Sequence, residues 1–273
     1  MKREDGTVGF LGAGNMASAL VQGILESGTR TPETLGASDM DREKLESISN
    51  RFGIRVFSNN RELIRDSSTV ILCVKPQQID QVLEEARGEF REDHLVISIA
   101  AGVPLDRIRS VIGKNLPLIR VMPNTPALIQ MGMSALARGS GAGPEHMALA
   151  RELFDAAGET VEVEEAMMDA VTAVSGSGPG YIFRIMEAMV EAGAAVGLDR
   201  EISLQLVTQT FLGAAQLAKS SDESLSRLRE MVTSPGGTTA AGLETLDAMG
   251  LEEMMGRTVD AAYRRSLELG GKA

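Results

Sequence analysis

Short apolar runs alternate with amphipathic stretches over residues 7–163, and this alternation limits the possible folds more than any other feature of the chain. Most of the runs are separated by segments with helical periodicity, which is typical of parallel strands joined by crossover helices. The first half is therefore predicted to be an α/β domain with a mostly parallel sheet. The predicted strands are residues 7–11, 34–38, 55–57, 69–74, 95–99, 118–121, 133–137 and 160–163.

The β-branched runs end near Glu165, and alanine, leucine, methionine and charged residues at helical spacing follow as far as Leu269. This pattern predicts a second domain that is entirely helical. We therefore expect an α/β domain over residues 1–165 and a helical domain over residues 166–273. The predicted helices are residues 166–174, 179–196, 200–219, 223–232, 239–249 and 251–269.

Several of these helices carry small residues on one face, such as Gly193 and Gly197. Small residues let two helices approach closely. Such faces fit a tight bundle within one chain, and they also fit an interface between two copies of the chain. We favour the interface.

Charge and aromatic content argue against a nucleic-acid partner. The formal net charge is -11, and the lysines and arginines form no cluster of the kind that releases counterions from a phosphate backbone. Aromatic residues make up 3% of the chain and tryptophan is absent, so stacking platforms for bases are scarce.

No apolar segment of signal-peptide length precedes the first predicted strand, and no stretch reaches the roughly 18–20 apolar residues of a membrane span. The single cysteine, Cys73, lies in an apolar run and is expected to be a buried, unreactive thiol. His94 and His146 lie in polar junctions and are expected at the surface. We thus predict a soluble cytoplasmic protein with no membrane contact and no metal site.

A glycine-rich motif directly follows the first predicted strand. Gly12, Gly14 and Ala17 form the pattern Gly-x-Gly-x-x-Ala, which opens an amphipathic stretch that runs to about Glu26. In dinucleotide-binding folds the first glycine makes a tight turn, the second lets a pyrophosphate approach the backbone, and the third position lets the helix pack on the strand. We predict a dinucleotide site here, and a turn retained only for packing is the alternative.

The residues after the second predicted strand bear on the choice of nucleotide. Asp39 could bond a ribose 2′-hydroxyl, which favours NAD, whereas Ser38 and Arg42 could hold the 2′-phosphate of NADP. We favour NADPH, because Asp39 could point away if Ser38 occupies the tip of the strand. NADH is the alternative.

Three further segments follow predicted strands, at the sheet edge where ligands of such folds bind. Lys75 and Pro76 follow the fourth strand, where contact with a ligand competes with a merely solvated lysine. Residues 98–104, which include Ala100, are small enough for a nicotinamide ring to lie against the backbone. Asn124 lies in a proline-stiffened loop and is expected to present its amide to a ligand, with an ordinary turn as the alternative.

Two glycine-rich segments lie in the helical half. Ser177 is expected to cap a helix that begins at Pro179. Residues 232–240 form a polar turn that leads into another helix. Backbone amides at a helix N-terminus make a natural carboxylate site, and the hydroxyls of this turn could bond a ring nitrogen.

Six motifs together resemble those of the pyrroline-5-carboxylate reductase family, in order and spacing, over essentially the whole chain. They are G-A-G-N-M-A, V-K-P-Q, S-I-A-A-G-V, R-V-M-P-N-T-P-A, A-V-S-G-S-G-P-G-Y and V-T-S-P-G-G-T-T-A-A-G-L. The resemblance implies a Rossmann-type N-terminal domain, a helical C-terminal domain that dimerises with a second copy, and a decamer as a further assembly. It also implies that NAD(P)H reduces the C=N bond of 1-pyrroline-5-carboxylate to give L-proline.

The resemblance further implies roles for individual residues. The hydroxyl of Thr239 is expected to bond the imine nitrogen and is the expected catalytic group. The residues expected at the substrate are Gly236, Gly237, Thr238, Thr239 and Ser177. The residues expected at the dinucleotide are Gly12, Ala13, Gly14, Asn15, Met16, Ala17, Ser38, Asn60, Val74, Lys75, Pro76, Ala100 and Asn124.

The chemistry of an imine explains why the motifs contain no strong acid. A protonated imine is already electrophilic near neutral pH, so catalysis rests on positioning its carbon against the nicotinamide, with Thr239 or water relaying the proton. A non-catalytic dinucleotide sensor would not need the loop at residues 232–240. A hydroxy-acid reductase of similar architecture would be expected to carry a lysine after Ser177, and none is there. A reductase of another small cyclic imine stays open as an alternative.

Overall fold

A computed structural model describes residues 6–271, and these residues form two compact units. The first unit contains residues 6–177 together with residues 262–271, and the second contains residues 178–261. The functional boundary predicted at residues 165 and 166 stays a prediction, because compactness alone does not assign a role to either unit.

The first unit is built on one eight-stranded sheet with the order β3-β2-β1-β4-β5-β6-β7-β8. Only the β6–β7 pair is antiparallel, and every other neighbouring pair is parallel. All eight predicted strands are present, with ends that differ by at most two residues from the expectation. They are β1 Val8–Leu11, β2 Leu35–Ser38, β3 Arg55–Val56, β4 Thr69–Leu72, β5 Leu95–Ser98, β6 Leu118–Met122, β7 Gly132–Arg138 and β8 Gly158–Glu162.

Helices cover both faces of this sheet, as a parallel sheet requires. Alternate residues of one strand enter different apolar clusters: Phe10 of β1 joins one cluster, and the adjacent Leu11 joins the other. The first cluster includes residues of α1, α2 and α6, and the second includes residues of α3, α4 and α5. The helices of this unit are α1 Asn15–Glu26, α2 Arg42–Phe52, α3 Asn60–Asp66, α4 Ile79–Ala86, α5 Leu105–Ile112, α6 Pro144–Asp155 and α7 Met168–Val171.

The remaining helices are α8 Gly178–Ala195, α9 Arg200–Ser220, α10 Leu225–Met231, α11 Thr238–Ala248 and α12 Leu251–Leu269. In the second unit α8 and α9 pack together, and Gly193 makes this approach possible because a Cβ there would meet Ser203 Oγ at 2.6 Å. Many apolar side chains of the second unit nevertheless stay exposed, such as Ile202 and Leu206. Within residues 6–271, no helix is long and apolar enough to cross a membrane.

The predicted helix at residues 166–174 is wrong as a single element. The chain instead forms a 3-10 turn at Glu165–Met167, the short helix α7, and a π turn at Thr172–Gly176. In the π turn the Ser177 N–H donates to the carbonyl of Thr172. The next helix, α8, begins at Gly178 rather than at Pro179, and the cap predicted for Ser177 stays a prediction. Helical periodicity does not distinguish these tighter and wider turns from an α-helix, so the sequence pattern missed them.

The surface position predicted for His94 is also wrong. His94 is 0% exposed and lies 6.2 Å, edge to face, from the ring of Phe90, while its Nδ1 accepts a hydrogen bond from the Arg91 N–H. Its polar neighbours in the sequence conceal this burial. His146 is half-buried at the start of α6, where its Nδ1 accepts from the Gly143 N–H.

Candidate dinucleotide and substrate site

The turn between β1 and α1 depends on Gly12 for its shape. Gly12 has a φ of 105°, and a Cβ there would meet the carbonyl oxygen of Cys73 at 2.8 Å. Its N–H donates to the carbonyl of Ser38 at 2.7 Å, which joins the turn to the end of β2. The fold itself therefore requires a glycine at this position.

Gly14 differs, because the fold does not require it. Its φ of -77° suits any residue, and a Cβ at this position would have no protein atom within 4 Å. Gly14 is the N-cap of α1, yet no side chain caps the helix. Unpaired N–H groups of the first turn thus face open space, which is how helix N-termini bind phosphate. The space at Gly14 is consistent with close approach of a ligand.

The carboxyl ends of β1, β2 and β4 border a cavity of about 240 Å³. It brings together six of the predicted dinucleotide residues, which are Gly12, Gly14, Ser38, Asn60, Val74 and Lys75. Ala17 of α1 is buried and packs in the core, as a small residue at the third position of the motif should. A larger groove of about 700 Å³ lies between α8 and α9, but none of the predicted site residues line it.

The end of β2 does not have the arrangement that favoured NADPH. Asp39 does not point away: its Oδ2 accepts from the Ala13 N–H at 2.8 Å, and its Oδ1 accepts from the Asp41 N–H at 2.9 Å. The buried hydroxyl of Ser38 donates to Asn60 Oδ1 at 2.8 Å. Arg42 is exposed and lies outside the residues that line the cavity.

Lys44 lines this cavity and was missed in the sequence, because nothing in its spacing separates it from other surface lysines of α2. Its Nζ lies 3.1 Å from Asp41 Oδ2. Hydrogen bonding to Asp41 raises the pKa of Lys44, with further contributions from the charges of Asp39 and Asp41. The part of the cavity after β2 is therefore lined by the Asp39 carboxylate and the Lys44 ammonium group, and Asp41 lies against that ammonium group.

Lys75 and Cys73 border the cavity at the end of β4. Lys75 is exposed, and its ammonium group makes no ion pair within the described residues. Pro76 begins a 3-10 turn directly after it. Cys73 is half-buried rather than fully buried, and burial raises the pKa of its thiol. The thiol is therefore protonated at neutral pH and chemically inert.

The backbone N–H that follows β5 at Ala100 is not free to bind a ligand. Ala100 is buried, and its N–H donates to Ser98 Oγ at 3.3 Å. The backbone at this position is therefore already hydrogen-bonded within the chain. A nicotinamide ring could still lie against its small side chain.

Asn124 serves as a brace between segments of the first unit. Its Oδ1 accepts from the Met133 N–H at 2.9 Å, and its Nδ2 donates to the carbonyl and to the hydroxyl of Ser175, each at 3.3 Å. The amide therefore links the end of β6 to β7 and to the π turn. Gly176 of that turn lies so close to Met122 that a Cβ would meet its methyl group at 2.3 Å.

A buried charge cluster lies next to this brace, and the sequence analysis missed it. Arg120 of β6 lies 3.7 Å from Glu165 Oε1 and 4.0 Å from Asp169 Oδ1, and Ser266 donates to the same Asp169 oxygen at 2.7 Å. Burial lowers the pKa of Arg120, and the charges of Asp169 and Glu165 oppose this effect. An arginine within the apolar strand L-I-R-V-M was the available signal.

In the second unit, the segment before α11 forms a tight turn with an open helix N-terminus. Gly236 has a φ of 68°, and the Gly237 N–H donates to the carbonyl of Ser234 at 3.0 Å. No side chain caps α11. The amides of Thr238 and Thr239, together with the exposed Thr239 hydroxyl, are therefore the available donors, and the Gly237 amide is already used.

A mostly parallel sheet with a glycine-rich turn and an open helix N-terminus at its carboxyl edge defines a dinucleotide-binding α/β protein. Residues 7–102 match a family model described as NADP oxidoreductase, coenzyme F420-dependent. Residues 165–269 match a family model described as pyrroline-5-carboxylate reductase dimerisation.

Relatives that match along the whole chain narrow this class to one family. The pyrroline-5-carboxylate reductase of Methanosarcina acetivorans is 43% identical over 98% of this chain and 100% of its own. The solved structure of the reductase from Coxiella burnetii has a TM-score of 0.92 and is 35% identical over 97% of this chain and 99% of its own. The solved structure of the Plasmodium falciparum reductase, with NADP bound, has a TM-score of 0.88 and is 30% identical over 98% of this chain and 99% of its own.

This chain belongs to the pyrroline-5-carboxylate reductase family. The expected family, fold class and enzyme class are confirmed, and the chain is an oxidoreductase that acts on a C=N bond. None of these comparisons supports a non-catalytic sensor.

Proposed function

We propose that this chain reduces 1-pyrroline-5-carboxylate to L-proline with hydride from a reduced nicotinamide dinucleotide. The observation that carries the proposal is the presence of two open, glycine-rich helix N-termini in one chain. One precedes α1 at Gly14, and the other precedes α11 at Gly237. Each suits an anion, and the substrate and the cofactor are both anions.

The dinucleotide is assigned to the cavity at the carboxyl ends of β1, β2 and β4. The amides of the first turn of α1, at Asn15 and Met16, would hold the pyrophosphate over Gly14. The other residues assigned to this site are Gly12, Ala13, Ala17, Ser38, Asn60, Val74, Lys75 and Pro76. Ala100 and Asn124 are assigned to its nicotinamide end, where Asn124 acts by holding the loop rather than through a free amide.

The substrate is assigned to the N-terminus of α11. The amides of Thr238 and Thr239 would hold the carboxylate, while Gly236 and Gly237 contribute the shape of the turn rather than donors. The Thr239 hydroxyl is assigned to the imine nitrogen. Ser177 is assigned to the substrate on the family resemblance alone.

A reduced dinucleotide, when bound, would supply the hydride for the imine carbon, and the C=N π electrons would move to nitrogen. The nitrogen of a protonated imine thereby becomes a neutral amine, which takes a further proton from water. The chain must orient the imine and exclude competing geometries, and Thr239 does so with one hydrogen bond to nitrogen. This division explains why no buried acid is needed at the turn.

The proposed assembly is a homodimer formed through the helical segment, with a decamer as a further assembly. The exposed apolar side chains of the second unit support this proposal, since Leu206 is 54% exposed and Ile202 is 51% exposed. Apolar surface of this extent on packed helices is typical of a subunit interface. Light scattering at micromolar concentration tests it: a monomer would contradict the homodimer.

The proposed hydride donor is a reduced nicotinamide dinucleotide, for which the sequence favours NADPH, with NADH as the alternative. Both forms share the pyrophosphate and nicotinamide, so the site around Gly14 suits either. The residues after β2 must decide between them.

A steady-state assay with purified protein tests the proposed reaction. The protein is mixed with pyrroline-5-carboxylate and either NADPH or NADH, and loss of the reduced cofactor is followed by absorbance. Turnover that requires the imine supports the proposal. No turnover with either cofactor contradicts it, as does equal turnover with a cyclic imine that lacks the carboxylate.

A further inference from the structure

We infer that Asp39 is the specificity-determining residue of the dinucleotide site and that it favours NADH over NADPH. Its carboxylate is positioned to accept a hydrogen bond from a ribose 2′-hydroxyl and to repel a 2′-phosphate. The inference rests on the proposed dinucleotide site, and it reverses the preference that the sequence suggested.

The orientation of Asp39 is fixed by two backbone donors. The Ala13 N–H, which belongs to the glycine-rich turn, donates to Oδ2, and the Asp41 N–H donates to Oδ1. A carboxylate has about four acceptor positions, so two remain free. Asp39 is half-buried and lines the cavity of about 240 Å³ beside Gly12 and Gly14, and the free positions are therefore available to a ligand there.

The two side chains that the sequence offered for a 2′-phosphate are engaged or lie elsewhere. The hydroxyl proton of Ser38 is used by Asn60 Oδ1, so Ser38 has no donor left for a phosphate oxygen. Arg42 is exposed and lies outside the cavity lining. The ammonium group of Lys44 does line the cavity, but it is 3.1 Å from Asp41 Oδ2, which offsets its charge.

The balance of charge at this end of the cavity therefore opposes a second dianion. Asp39 lines the cavity with one negative charge, and the positive charge of Lys44, which also lines it, is offset by the ion pair with Asp41. A ribose hydroxyl offers a donor to Asp39, whereas a phosphate offers only acceptors and negative charge. Lys75 lines the same cavity from the end of β4, which lies on the other side of β1 from β2.

Binding of adenosine nucleotides tests the inference without catalysis. The dissociation constants of ADP and of ADP carrying a 2′-phosphate are measured by calorimetry on the full-length protein. A hydrogen bond to a charged acceptor corresponds to about a 10- to 100-fold difference in affinity. We expect ADP to bind at least about tenfold more tightly than its 2′-phosphate derivative. Tighter binding of the 2′-phosphate derivative would overturn the inference.

Two variants locate the effect. Asp39→Asn keeps the size and one acceptor oxygen while removing the charge, and it should reduce the preference for ADP by about tenfold or more. Arg42→Gln is the matched control, because it removes a charge of the same segment outside the cavity, and it should leave the ratio unchanged. A ratio that is unchanged in Asp39→Asn, or that shifts equally in both variants, contradicts the inference.

The same proteins separate this inference from the proposed reaction. Values of kcat/KM with NADH and NADPH should follow the nucleotide ratios if both are correct. Normal nucleotide ratios without any reduction of pyrroline-5-carboxylate would contradict the reaction and leave the role of Asp39 intact. Reduction of the imine with a strong preference for NADPH would contradict the role of Asp39 alone.

Discussion

The two units of this chain bury their apolar residues to very different extents. In the first unit a sheet lies between two apolar clusters, and the turn at Gly12 is fixed by contacts with β2 and the segment after β4. In the second unit the helices leave residues such as Leu212 and Leu217 half exposed, and the turn before α11 is open. The dinucleotide site of the first unit is therefore held by one folded core. The second unit instead leaves apolar side chains exposed, and a second copy of the chain can cover them.

The two units therefore differ in which positions can be changed to alter function without loss of folding. A ligand-facing group on the exposed turn at α11 can be removed with little structural cost. In the turn between β1 and α1, Gly12 has a structural role, whereas Gly14 is assigned a ligand role.

The largest expected effect is on Thr239, on the exposed turn. Thr239→Ala removes the hydroxyl assigned to the imine nitrogen and keeps the backbone amides. Loss of one well-placed bond costs roughly 2–4 kcal/mol in the transition state, or about 30- to 1000-fold in rate. The fall should appear in kcat rather than KM, measured by steady-state kinetics.

Thr239→Ser is the control for this prediction, because it retains the hydroxyl and should recover most of the activity. Both variants should melt at the temperature of the parent protein. If Thr239→Ala is as fast as the parent, the hydroxyl does not orient the substrate, and Lys75 or bound water becomes the next candidate for the proton.

A structural glycine in the first unit should behave in the opposite way. Gly12→Ala forces a side chain into a backbone conformation with a φ of 105° and against the carbonyl oxygen of Cys73. We expect a loss of about 2–3 kcal/mol in the free energy of unfolding, measured by urea denaturation. A variant as stable as the parent would show that this turn is not held by its neighbours.

Acid should weaken the first unit through His94. Burial lowers the pKa of His94 to about 4 from its ordinary 6.5, so the folded protein holds this side chain neutral. The unfolded chain binds the additional proton between these values, and stability should therefore fall as the pH drops from 6.5 toward 4. A pKa difference of this size corresponds to about 3 kcal/mol.

The comparison for this prediction is His94→Gln, which cannot titrate. The difference in unfolding free energy between the parent and this variant should change across the same pH range and stay constant above it. Parallel pH profiles for the two proteins would show that His94 does not make this contribution.

The smallest expected effect is at Gly14, where ligand and fold can be separated. Gly14→Ser supplies a good N-cap residue in a conformation that serine adopts, so stability should not fall. Its side chain would occupy the space beside the open amides, and affinity for ADP should drop by about tenfold. Calorimetry and thermal melting check the two halves of this prediction, and unchanged ADP affinity would contradict the assigned pyrophosphate position.

The sequence predicted the sheet well because strands and crossover helices leave distinct hydrophobic periods. It also placed Gly12, Gly14 and Ser38 at one sheet edge, since parallel strands end together there. The direction of the Asp39 carboxylate could not be predicted, because it depends on the N–H of Ala13, which is distant in sequence. The π turn was missed for a different reason: its residues have the same apolar spacing as a helix.

Buried polar groups were the other failure of sequence reasoning. His94 is surrounded in the sequence by charged residues, yet its ring is enclosed next to Phe90. The amide of Asn124 was expected to face a ligand and instead joins three segments of the chain. The partners of Asn124 lie 9 and 51 residues away in the chain, and local pattern does not encode them. The named neighbours of His94 are local, so in its case only the burial depends on tertiary packing.

The reaction proposed for this chain is hydride transfer from its cofactor to the C=N carbon of pyrroline-5-carboxylate. It is tested most directly with NADH deuterated at the transferable hydrogen of the nicotinamide ring, mixed with the protein and the imine, with the product examined by mass spectrometry and NMR. We expect one molecule of proline for each molecule of cofactor oxidised, with deuterium at the carbon that was double-bonded to nitrogen. Oxidised cofactor without proline, or proline without deuterium at that carbon, would contradict it.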